Sequence, residues 1–162
     1  MSDDACCCAD CRKERADTRR KTAPLLIRVI GQPAPQGSKR LVGRHLIESS
    51  AGVQPWRDSV AWAARSAAHA AHWTQPDGPV AVDVRFYLPR PAAARRRRFP
   101  HTRPDLDKLI RSTLDALTTS GVVVDDARVV KIDAAKLYAD EQPHHTQGCV
   151  IQVTALDQRP TP

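Results

Sequence analysis

One amphipathic segment flanked by carboxylates constrains this chain more than any other. It runs from Arg103 to Val130, RPDLDKLIRSTLDALTTSGVVVDDARVV. Leu106, Leu109, Ile110, Leu114 and Leu117 recur at three- and four-residue steps, the spacing of one buried helix face. Thr119, Ser120 and Gly121 end that pattern, and Gly121 suits the left-handed position just past a helix. Val122, Val123 and Val124 read as a short buried strand. The predicted order is therefore loop, helix, turn, strand, an order expected to carry Asp125 and Asp126 back towards the acids at the helix start.

Those acids have two readings. Asp105 and Asp107 precede or begin the helix, where unpaired backbone N–H groups offset repulsion between carboxylates. Together with Asp126 they form a candidate site for a hard divalent cation held by oxygen ligands. The alternative is purely structural. Asp is a common helix N-cap, Thr102 to Asp105 has the spacing of a capping box, and Asp-Asp before a strand is ordinary turn chemistry.

The rest of the chain reads as a single α+β domain. Residues 1–23 are polar and without apolar periodicity, and are expected to be a disordered tail. Cys8 and Cys11 there have the spacing of half a zinc site, but no second half follows. The domain proper is expected over 24–156, with a short tail at 157–162. Leu25–Ile30 reads as a first strand. Gln32 to Arg40 reads as a loop in which Lys39 and Arg40 would contact a phosphate backbone. Pro55 to Ala71 is predicted helical, with Trp56, Val60, Ala63, Ala64, Ala67, Ala68 and Ala71 on one face and Trp62 off it. His69 and His72 have no acid partner in view. Val80–Leu88 alternates as a half-buried strand. Pro91 to Pro100 is a linker carrying Arg95, Arg96, Arg97 and Arg98. Val129 to Tyr138 is a strand with Val130, Ile132, Ala134, Lys136 and Tyr138 on one face, and Val150 to Val153 is the last. Irregular alternation excludes a doubly wound fold and predicts helices on one mixed or mainly antiparallel sheet.

The net charge of +7 favours a polyanionic partner. No apolar run approaches a membrane span. The N-terminus is acidic and Cys-rich rather than basic and then apolar, so no signal peptide is expected and the cytoplasm is the expected compartment.

The compound motif resembles the RusA family of Holliday junction resolvases. The motif is D-x-D at a helix start, Leu114-Asp115-Ala116-Leu117 near the helix end, then a valine run into Asp125-Asp126-x-x-Val129-Val130. The resemblance covers roughly residues 24 to 155 and is strongest from Arg103 to Lys136. It implies that Asp105, Asp107 and Asp126 are catalytic acids holding one or two Mg2+ ions, with Mn2+ as a substitute. It implies that Lys136 and Arg111 stabilise charge on a scissile phosphate. It also implies a symmetric homodimer acting on branched DNA. Lys39, Arg40, Lys108 and Arg95 to Arg98 are candidate DNA contacts, the arginine run because it directly precedes the carboxylates, with a localisation signal or a solvated loop as its alternatives. Two positions depart from the family pattern. Lys108 stands where Asn is usual, and Arg111 stands where lysine is usual and cannot give up a proton. A flap- or branch-selective nuclease and a non-catalytic junction-binding protein are the alternatives.

Overall fold

The computed structural model describes residues 23–37, 39–42, 45–48, 52–141 and 146–157. The Cys-rich segment, with its half zinc site, lies outside them. The elements in chain order are β1 (Leu25–Ile30), β2 (Lys39–Val42), β3 (His45–Glu48), α1 (Val53–Ala70), β4 (Val80–Leu88), α2 (Leu106–Ser120), β5 (Val129–Tyr138) and β6 (Gly148–Ala155). The main sheet has the order β1-β6-β4-β5. β6 is antiparallel to both β1 and β4, while β4 and β5 are parallel. The sheet is thus mixed, and the domain is α+β as the element order predicts. Strands β2 and β3 form a separate antiparallel hairpin.

The two helices cover one face of the sheet. Leu25, Ile27 and Val29 of β1, Val82, Val84 and Phe86 of β4, and Ile151 and Val153 of β6 are buried in a single core cluster. Alternate residues of β1 point the other way, and Leu26 and Ile30 are exposed. α1 contributes Val53, Trp56, Val60 and Ala64, and α2 contributes Leu109, Ala116 and Leu117. Small side chains at Ala64 and Ala116 suit close packing of one helix on the other. An Arg57–Asp115 ion pair ties the helices together. Ser112, fully buried, donates to the Ala34 carbonyl at 2.8 Å and so fastens the segment after β1 to α2.

Several boundaries differ from the sequence reading. α1 begins at Val53 rather than Pro55, because proline is tolerated in a first turn. Ala71, expected on its buried face, is the exposed C-cap residue. α2 ends where Gly121 adopts φ 79°, as its sequence predicts. Val122–Val124 is not a strand. Val122 and Val123 are buried but follow a bend with no ladder partner, and the Val122 carbonyl accepts from the Trp73 indole at 3.1 Å. Burial was legible there, and pairing was not. Lys39 and Arg40, predicted in a loop, belong to β2.

Cys149, beside Gly148 in β6, is a buried free thiol whose pKa is pushed well up by desolvation. Gly148 has φ 151°, and a Cβ there would lie 1.9 Å from the Val29 carbonyl oxygen in the neighbouring strand. Gly148→Ala should therefore combine backbone strain with a clash between paired strands. The expected loss is about 2–3 kcal/mol in urea unfolding, with an unchanged m-value.

Candidate functional site

The parallel pair β4 and β5 with α2 between them forms a crossover, and it decides where the acids lie. At the end where the strands finish, Leu88 pairs with Tyr138. Arg90 and Asp140, each two residues further on, meet there at 2.5 Å, and Glu141 adds a second pair at 2.8 Å. Arg90 also stacks on the Tyr138 ring at 3.9 Å and donates to the Ala94 carbonyl at 3.3 Å and to the Arg97 carbonyl. Its pKa is raised, chiefly by the hydrogen bond to Asp140. Arg90 therefore pins the turn that carries Arg95, Arg96, Arg97 and Arg98, all of them exposed. Sequence reasoning missed Arg90. The signal was the shared two-residue offset after paired strands, readable only once the register is known.

Lys136 works at the same end. It lies on the helix-covered face opposite Phe86, and its Nζ donates to the carbonyls of Thr102 and Pro104 at 2.8 Å each. That satisfies the cation and fixes the strand-to-helix connection just before Asp105. Asp105 is the N-cap residue of α2 in extended geometry, with no side-chain capping bond. The predicted capping role is thus not what its carboxylate does. Instead Lys108 approaches Asp105 at 3.2 Å, a half-exposed pair worth less than about 1 kcal/mol. Asp107 lies in the first turn and is exposed, as is Arg111 one turn on. The Lys108 carbonyl accepts from the Gln36 amide at 3.0 Å. Lys39 follows Gln36 within about 10 Å of chain, so β2 starts beside the N-terminus of α2.

Asp126 lies elsewhere. It belongs to a short 3-10 turn, Asp126–Arg128, that leads into the start of β5. Arg128 donates to the Asp77 carbonyl at 2.7 Å, just ahead of β4, and Trp73 meets Val122 at the same end. α2 has 15 residues, about 22 Å at 1.5 Å each. From Val129 to Lys136, β5 covers about 23 Å. Asp126 is consequently on the order of 20 Å from Asp105 and Asp107 within one chain. Among the described residues no three of His, Cys, Asp or Glu are grouped closely enough to hold one ion. The expected return of the chain to the first two acids does not occur, because α2 traverses the sheet from one end to the other. Asp125 performs the turn chemistry, its Oδ1 accepting from the Ala127 amide at 2.8 Å. Asp105 and Asp107 offer oxygen donors of the kind Mg2+ takes. The third acid is missing from that end, so one chain does not build the three-carboxylate site.

The chain belongs to the endodeoxyribonuclease RusA family, whose model matches residues 30–147. It is 31% identical over 75 residues to the uncharacterized protein YqaN of Bacillus subtilis (strain 168). That match takes in 40% of this chain and 52% of YqaN, so the chain spans about half the length of the curated relative it matches. No described helix is long and apolar enough to cross a membrane.

Lys136→Met should release the carbonyls of Thr102 and Pro104 from their shared cation. Losing about 2 kcal/mol of local protection corresponds to roughly thirtyfold faster hydrogen exchange in a peptide covering 101–110. An unchanged rate would show that Lys136 does not hold this connection.

Proposed function

We propose that the protein is a metal-dependent endodeoxyribonuclease that resolves Holliday junctions by paired, symmetric phosphodiester cuts in DNA recombination and repair. Family membership supports the reaction class. The observation that carries the reading is the collection of unlike charges at one end of the crossover. Exposed Arg95 to Arg98, pinned by Arg90, stand at the same end as Asp105 and Asp107, placed there by Lys136. The cations would hold the DNA backbone, and a divalent ion held by the acids would let a polyanion approach them. Mg2+, or Mn2+ in its place, suits such oxygen donors and supplies Lewis acidity when bound.

In this reading the chain's own residues bind and orient the duplex arms. Arg95 to Arg98, Lys39 and Arg40 grip phosphates, and Lys108 either joins them or neutralises Asp105. Arg111, on the exposed surface one turn from Asp107, contributes fixed positive charge near the scissile phosphate but no proton. Lys136 acts by holding the backbone ahead of Asp105. The protein works as a homodimer in the cytoplasm, because a four-way junction requires two matched cuts. The Lys108–Asp105 pair supports a second reading, a junction-binding protein without cutting activity, since one proposed metal ligand is already partnered.

A synthetic four-way junction with Mg2+ distinguishes the readings: the enzyme gives two symmetric nicks, a flap nuclease prefers other branches, and a binding module gives none. Asp107→Asn should lower cutting by about two to three orders of magnitude while junction binding persists. Replacing Arg95, Arg96, Arg97 and Arg98 with Gln should leave folding intact and flatten the dependence of log K on log salt. Each lost phosphate contact removes about 0.9 from that slope, so a total change between about 2 and 4 is expected from binding isotherms.

A further inference from the structure

The segment between β1 and β2 is fastened to α2 three times. Ser112 donates to the Ala34 carbonyl at 2.8 Å, and the Gln36 backbone amide donates to the Lys108 carbonyl at 3.0 Å. The third fastening is the Gln36 side chain. With its carboxamide turned to satisfy both neighbours, it accepts from Arg57 at 3.0 Å and donates to Asp115 Oδ2 at 3.2 Å. Lys108, Ser112 and Asp115 follow one another at steps of four and three residues, so all three lie on one side of the helix. Gln36 thus enters the partly buried ion pair that joins α1 to α2. A carboxamide serves both charges at once, because its oxygen accepts from the guanidinium while its NH2 donates to the carboxylate. Hydrogen bonds to charged groups are about twice as strong as neutral ones. Immediately beyond this anchored residue the chain runs into β2, which begins at Lys39.

We propose that Gln36 is a positioning residue: held between Arg57 and Asp115, it sets where β2, with Lys39 and Arg40, leaves the domain relative to Asp105 and Asp107. The inference rests on the nuclease reading for its DNA half only. The acids and the basic strand are then referenced to the same helix. Lys136 fixes the backbone that enters α2, and Gln36 fixes the backbone that enters β2. Without the side-chain anchor, the three residues from Gln36 to Lys39 span up to about 10 Å of chain. That distance covers about three phosphates along one DNA strand, so a swing at Gln36 would take the cations off their contacts. Asp115 lies about 12 Å along the helix from Asp107, so its influence on a bound phosphate runs through Gln36.

The anchor is tested first without DNA. Gln36→Met removes both side-chain bonds and changes no charge. Amide exchange in a peptide covering 33–42 of the full chain should quicken about tenfold, while a peptide covering 109–120 keeps its rate. Binding of a synthetic four-way junction should weaken about tenfold, and the slope of log K against log salt should fall by about 2, the share of Lys39 and Arg40 at about 0.9 each. In cutting assays with Mg2+ the loss should appear in KM, with kcat held within about twofold, because Asp105 and Asp107 stay where Lys136 puts them. Gln36→Glu sets a carboxylate against Asp115 and should bind about thirtyfold more weakly than the unmodified chain. Adding Asp115→Asn should bring binding back to within about threefold, since the new amide at 115 can donate to the new carboxylate at 36. Exchange and binding in Gln36→Met that match the unmodified chain, a loss in kcat instead of KM, or a double variant no better than Gln36→Glu would each overturn the positioning role. An unmodified chain that binds no junction would sink the nuclease reading, and hydrogen exchange alone would then decide whether Gln36 holds the entry to β2.

Discussion

Parallel pairing of β4 with β5 is the constraint on which the remaining architecture depends. Two parallel neighbours cannot be joined by a hairpin, so the connection must cross the whole sheet. α2 makes that crossing with Leu109, Ala116 and Leu117 against the core. The connection that enters α2 leaves from the end where the strands finish, and the connection that leaves α2 reaches the end where they begin. Asp105 and Asp107 are therefore held at one end of the crossover and Asp126 at the other.

At the finishing end, two side chains convert loose connections into a defined surface. Arg90 holds the carbonyls of Ala94 and Arg97 while its own charge is matched by Asp140 and Glu141. Lys136 holds Thr102 and Pro104. Both are cations satisfied by backbone oxygens of the segment that links β4 to α2. Because carbonyl groups rather than side chains are gripped, residues 95–98 can present four guanidinium groups outward without a compensating acid among themselves. The outer charge is displayed, and the inner charge is structural.

Much of this was legible in the residues. The stripe from Leu106 to Leu117, the left-handed stop at Gly121, the alternation in β4 and the spans of β1 and β5 follow from periodicity and turn chemistry, and the structure has them. The single buried face expected of β5 is not seen, since Val130 and Ile132 are exposed beside a register shift at the start of the β4–β5 ladder. Three things were not legible. The β2–β3 hairpin has short strands and lies between a Pro-rich segment and α1, so its pattern is too brief to separate from a loop. The valines at 122–124 carry the apolarity of a strand, but the partner that would make them one lies elsewhere. Above all, the direction of the β4–β5 pairing cannot be read from either strand alone. An antiparallel hairpin-like return would have brought Asp126 to Asp105. The parallel crossover separates them, and local sequence encodes neither choice.

The buried thiol of Cys149 gives the domain a property unrelated to catalysis. It lies in β6, a strand paired on both sides, and desolvation pushes its pKa up and so favours the thiol. A protonated, enclosed sulfur does not attack alkylating reagents, so its modification must wait until β6 parts from β1 or β4. The native sheet thus contains its own chemical clock: the rate at which this sulfur is trapped measures how often the middle of the domain comes apart.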